Sequence, residues 1–160
     1  MEAARGAAPV GRLEDLGAVE ATAVLYLRLW CSGPDAQGIV WNDFAATFGG
    51  REGRVRLHGF ECLVTMLVEQ ARRPLMRHDP GCRCLGADES AFATLIGSAL
   101  DGDRAEAAAM AALLVRATAA PAIAEQARLA GLAVADVARR LVRTHDREAA
   151  ATHASTSLRQ

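Results

Sequence analysis

The 160-residue sequence predicts an all-α protein, a single-domain bundle of six or seven short helices around a buried helix at about residues 13–31. Three observations lead there. Apolar residues make up 51% of the chain, enough for one core at this length without disulfides or oligomerisation. About a fifth of the residues are Ala and only 4% are aromatic, a composition that favours helices. From Leu13 to Ala150 apolar residues recur at three- and four-residue spacing, and no run alternates apolar and polar between turns, so no sheet is expected.

Taken in order, residues 1–12 carry Gly6, Pro9 and Gly11 without any period and read as a flexible N-terminal arm. The single helical domain then spans residues 13–150. Its first helix, Leu13 to Cys31, is apolar on nearly every side, with Arg28 the only charge after Glu20, so it belongs in the middle of the bundle. Ser32-Gly33-Pro34-Asp35 stops that helix and starts the next, with a hydroxyl cap and a proline in the first turn. The second helix turns Val40 or Trp41, Phe44 and Phe48 inward and ends at Gly49-Gly50. The third, about Arg51 to Arg73, aligns Leu57, Phe60, Val64, Leu67 and Ala71, and Pro74 closes it.

Pro74 to Ala87 holds two prolines and two glycines and reads as one long loop, of a length that in a compact domain tends to be functional or tied down. Asp88 is placed as the cap of a fourth helix carrying Phe92, Leu95, Ile96 and Ala99, which Asp101-Gly102-Asp103 breaks. Asp103 with Glu106 forms a capping box for a fifth helix with Ala107, Met110, Leu114 and Ala117 on one face. Pro121 opens a sixth helix ending near Gly131, and a seventh runs from about Ala133 to Ala150. Residues 151–160 read as a frayed tail.

The net charge of −1 excludes a strongly basic nucleic-acid coat, an acidic tail protein and a disordered chain. Arg outnumbers Asp plus Glu by 7 to 4 over residues 51–83 and by 5 to 3 over 132–160, which ordinary solvated faces explain. All 18 cations are Arg, a usage that fits a GC-rich bacterial genome. The N-terminal stretch lacks an apolar leader, and the first apolar run, Ala21 to Cys31, is shorter than the ~20 residues that a membrane span takes. A cytoplasmic protein with reduced cysteines and no membrane contact is therefore expected.

The residue set with chemical potential is His58-x3-Cys62 on the third helix and His78-x3-Cys82-x-Cys84 in the loop. Positions i and i+4 share a helix face, so His58 and Cys62 could take one metal together. In an extended segment residues two apart point the same way, so Cys82 and Cys84 could aim at a common point. His78, Cys82 and Cys84 with Cys62 or His58 would then bind a structural zinc that ties the loop, since a closed Cys/His set is what such a site requires. The plainer reading makes Cys31 and Cys62 small buried residues, Cys82 and Cys84 loop thiols, and His78 solvated. A third makes Cys82 and Cys84 a reactive or redox pair, with Arg77, Arg83 and the helix start after Asp88 favouring thiolates.

The run RRPLMRHDPGCRCLGADE, with LYLRLWCSGPDAQ and VWNDFA upstream and GDRAEAAAMAALLVRA downstream, resembles a group of small uncharacterised proteins from alphaproteobacteria over about residues 20–132. That resemblance implies a bacterial cytosolic protein and brings no activity, cofactor or partner. Residues Ile123 to Val142 resemble the helix-turn-helix of bacterial repressors: Ala127 matches the small residue at the crossing, Gly131 the turn, and Leu132 and Val137 the buried contacts of the second helix. Gln126 and Arg140 depart from that pattern, standing where an apolar residue is usual. The resemblance implies duplex DNA as partner, with Arg139, Arg140 and Arg143 on the helix that enters the major groove. An ordinary helical hairpin completing the bundle is the competing reading.

No phosphate-binding glycine loop, HExxH or Ser-His-Asp setting occurs, so enzymatic activity is not expected. The one nucleophile to nominate would be Cys82 with His78 as its base. The sequence thus predicts a small interaction or regulatory module with a protein partner and a possible zinc in the His78–Cys84 loop. A DNA-binding regulator and a thiol redox protein stand as the alternatives.

Overall fold

The computed structural model describes residues 9–157 and forms a bundle of six helices: α1 (Ala18–Trp30), α2 (Pro34–Phe48), α3 (Gly50–Gln70), α4 (Ala87–Asp101), α5 (Arg104–Leu114) and α6 (Ala120–Ser157). No helix among the described residues is long and apolar enough to cross a membrane. The all-α class, the boundaries of α2 and the start of α3 agree with the periodicity in the sequence, but α3 ends at Gln70, short of the expected Arg73, because Ala71 leaves the helix to bridge Val115. Val40, Phe44, Phe60 and Leu67 are fully inaccessible on the expected inward stripes.

Several local expectations are corrected. Residues 13–31 are not one helix: Leu13–Asp15 form a 3-10 turn, held where the Asp15 carboxylate accepts the Arg12 N–H at 3.2 Å, and α1 begins after Gly17. Ser32 does not cap α2. Its hydroxyl donates back to the Arg28 carbonyl at 2.7 Å, and Gly33, at φ 105°, supplies the backbone turn that a side chain would resist. Part of the N-terminal arm is ordered, because Pro9–Arg12 (β1) pairs antiparallel with Cys84–Gly86 (β2) in a two-stranded sheet; residues 1–8 of that arm lie outside the described residues.

The largest correction concerns the C-terminal helices. The expected break at Gly131 is absent, and α6 is one continuous helix of 38 residues. Gly131 serves close packing instead of a turn: a Cβ there would lie 3.2 Å from the Leu100 side chain of α4. A similar approach brings Gly53 of α3 onto the α2 backbone, where a Cβ would lie 3.0 Å from the Phe44 carbonyl. The residues expected to fray from 151 onward are helical as far as Ser157, while residues 158–160 lie outside the described residues.

Helix α6 packs against each of the other five helices through Ile123, Ala127, Ala130, Val134 and Val137, whereas α1 packs against α2, α4 and α6. The core therefore has two axial helices where one was expected. Its aromatic rings gather between α1, α2 and α3, with Tyr26 6.1 Å from Phe44 and 6.3 Å from Phe60 between centroids. Alanine dominates the α4–α5–α6 side, where Ala99, Ala107, Ala111 and Ala127 let the helices approach closely. Beyond Leu141 every described side chain of α6 is exposed, so the last turns extend past the bundle.

Candidate functional site

A single charged residue in an apolar helix must find a partner or remain exposed. Arg28, in the last turn of α1, is entirely inaccessible, and so is Glu89 in the first turn of α4. Their side chains meet in a two-point pair, Nε to Oε1 at 2.7 Å and Nη2 to Oε2 at 2.9 Å. The remaining donors of the guanidinium go to loop carbonyls: Nη1 to Cys82 at 2.6 Å and to Asp79 at 3.3 Å, and Nη2 to Cys84 at 2.6 Å. All five N–H groups of Arg28 are thereby used, which is what makes its burial tolerable.

Glu89 is equally well satisfied. Besides Arg28 it accepts the backbone N–H of His78 at 2.9 Å and of Gly86 at 2.8 Å, and its Oε2 lies 3.0 Å from Nδ1 of His78. Burial pushes this carboxyl upward, but the hydrogen bonds from Arg28, Gly86 and His78 outweigh it and hold the group down at about 2. An ionised carboxylate only accepts, so Nδ1 of His78 is the donor. Asp88, expected as a helix cap, does something else. It accepts both Nη atoms of Arg73, at 2.7 and 2.8 Å, and the Met76 N–H at 2.9 Å. Burial raises the Asp88 carboxyl, and the Arg73 and Met76 bonds more than offset that, leaving it below its ordinary value.

The long loop is thus clamped by polar contacts along its length. Asp88 and Glu89 hold residues 73–78, a turn closes Cys82 N–H onto the Asp79 carbonyl at 2.9 Å, Arg28 grips residues 79–84, and β2 pairs with β1. Sequence reasoning missed Arg28 and Glu89. One clue was present: a lone Arg inside an all-round apolar helix demands a buried acid, and Asp88-Glu89 is the acidic pair adjoining a loop that needed an anchor.

The proposed zinc ligands fall into separate places. His58 and Cys62 do share the outer face of α3, with Sγ 3.5 Å from Nε2, while Nδ1 of His58 lies 3.2 Å from Glu61. His78 turns to Glu89. Among the described residues, no group of three or more His, Cys, Asp and Glu side chains is arranged to hold a metal. Cys82 and Cys84 are half-buried free thiols side by side, and the hydrogen bond and charge of Cys82 push the Cys84 thiol up, with Arg12 and Arg28 pulling weakly the other way. Arg77 is not beside this pair; it donates to the Cys31 carbonyl at 2.9 Å. Cys31, its thiol pushed up by burial, lines a cavity of ≈ 210 Å³ with Leu27, Val68 and Leu75.

The nominated DNA-contacting residues lie in the middle of α6. Arg139 is exposed and paired with Asp136, Arg140 is half-buried near Tyr26, and Arg143 is exposed. Because α6 runs without interruption through Gly131, residues 123–142 do not form a helix-turn-helix.

A roomier feature lies between α2 and α3, a groove of ≈ 710 Å³ lined by Trp41, Arg54, Val55, Leu57, His58 and Glu61. The Arg54 guanidinium sits 5.5 Å from the Trp41 ring centroid, and Val55 is 62% exposed. Comparison of the chain with family models, curated proteins and solved structures gave no match.

Proposed function

We propose that the chain is a small protein-interaction module that receives an acidic amphipathic helix of a partner in the α2–α3 groove. The observation that carries this reading is the groove itself: an apolar bed of Trp41, Val55 and Leu57 with Arg54, His58 and Glu61 along its edges. Trp and Arg in one concave patch are the residue types that dominate binding energy at protein interfaces. Helix-in-groove binding needs such an apolar bed with charged edges. Arg56 is tied to Glu52 at 2.6 Å, which leaves Arg54, beside the exposed Val55, to meet a carboxylate.

The test uses a designed helical peptide with leucines on one face and glutamates beside them, followed by tryptophan fluorescence. Saturable binding is expected, weakened by Val55→Asp and by Arg54→Glu. Equal binding of a lysine-flanked version, or unchanged binding by both variants, would remove this reading.

Duplex DNA is the second reading, favoured by Arg139, Arg143 and Arg147 exposed at four-residue intervals along α6, the last two on the part that projects beyond the bundle. Its test is salt-sensitive retention of the protein by duplex DNA, diminished when Arg139 and Arg143 are both replaced by Ala.

A further inference from the structure

We propose that Cys82 and Cys84 form a two-thiolate site for a soft monovalent cation, Cu(I) in class. The geometry starts from the backbone. One planar guanidinium, Arg28, donates to the carbonyl oxygens of both Cys82 and Cys84, each at 2.6 Å. Carbonyls two residues apart reach one donor group when the tripeptide is extended, and side chains two apart then share a face. Arg83, between them, leaves in another direction and pairs with Glu14 at 3.0 Å. The two thiols are free and only half-buried, so an ion has access to them.

The donor set selects the ion. Among the described residues no third His, Cys, Asp or Glu side chain joins the pair in an arrangement that could hold a metal. Structural zinc takes four ligands, and this position offers two. Thiolate pairs suit Cu(I), a soft ion for which sulfur ligands select. Binding is written 2 RSH + Cu⁺ → [Cu(SR)₂]⁻ + 2 H⁺, beside the ion pairs Arg28–Glu89, whose guanidinium holds the carbonyls of both cysteines, and Arg12–Glu14, whose Arg12 is paired opposite Cys84 in the sheet. Because the Arg28 donors pin both carbonyls, the thiols are positioned before the ion arrives, which lowers the ordering cost of binding.

The experiment titrates the reduced full-length chain with Cu(I) under anaerobic conditions against a competing Cu(I) chelator. One equivalent per chain withheld from the chelator is expected, lost in Cys82→Ser and in Cys84→Ser and retained in Cys31→Ser and Cys62→Ser. Circular dichroism checks that each variant folds. A second measurement needs no variant: alkylation mapped by mass spectrometry, in which Cu(I) shields Cys82 and Cys84 and leaves Cys62 reactive. Retention of the bound ion in both Cys82→Ser and Cys84→Ser, equal labelling of all four cysteines with and without Cu(I), or one equivalent of Zn(II) displacing the bound Cu(I) would each overturn the proposal.

Discussion

Glu89 and Asp88 are neighbours in sequence, both lie in the first turn of α4, and both accept a two-point bond from an arginine, yet they do different work. Glu89 and Arg28 are wholly inaccessible, whereas Asp88 is nearly buried and its partner Arg73 is 50% exposed. The exposed guanidinium has water as an alternative partner. The buried one has only Glu89 and three loop carbonyls. What the pair teaches is that the geometry of a salt bridge does not set its importance; the fate of the surviving partner after one side is removed does.

The largest effect is expected from Glu89→Ala, which leaves Arg28 charged and uncompensated in the core and should cost about 3–5 kcal/mol. Urea unfolding measures it, and a loss below about 1 kcal/mol would mean that the guanidinium can reach water. The double variant Arg28→Met with Glu89→Leu sharpens the comparison. Without a stranded charge it should be more stable than Glu89→Ala alone, while amide exchange in residues 79–84 rises because the loop carbonyls have lost their donor.

Acid gives the next effect, and its sign follows from the direction of the shift. Glu89 is held at about 2, below its ordinary value of 4.5, so the folded state binds its proton less readily than the unfolded state. The resulting stability is complete above pH 4.5 and is lost as pH falls from there toward 2. Asp88 shifts in the same direction and adds to the slope. A thermal midpoint that stays flat through that window would break the assignment of Glu89 as a buried ionised group.

At the rim, Asp88→Ala should cost about 1–2 kcal/mol, chiefly through the Met76 N–H left without its acceptor, and Arg73→Ala about 1 kcal/mol or less. Raising the salt concentration should shrink the Arg73 effect and leave the Glu89 effect in place, since exposed pairs are screened and buried ones are not. The smallest change is expected from chelation. A loop tied by two ion pairs and a strand pairing should keep its thermal midpoint in the presence of EDTA; a drop would show a metal contributing to the anchor.

Much of the fold was legible because helix propensity, caps and apolar spacing act within a few residues. Gly49, Asp103 and Pro121 mark real boundaries, and the inward faces of α2 and α3 follow from spacing alone. The candidate site was less legible. His58, Cys62, His78, Cys82 and Cys84 stand out by residue type, although the anchor of that loop is a pair 61 positions apart. Gly131 misled for a related reason: a helix crossing and a turn can both require a glycine, and only the presence of Leu100 against it distinguishes them.

By itself the sequence determined an all-α chain, the placement of most helices and the long irregular stretch after Pro74, while its expectation of no sheet missed the short pairing of β1 with β2. Tertiary structure alone decided that α6 is a single helix touching all the others, that Pro9–Arg12 leaves the arm to pair with Cys84–Gly86, and that Arg28 meets Glu89. The physical reason is range. Periodicity and capping are settled over one or two turns, whereas a buried charge and a strand without an adjacent partner are satisfied only by groups that folding brings from elsewhere in the chain.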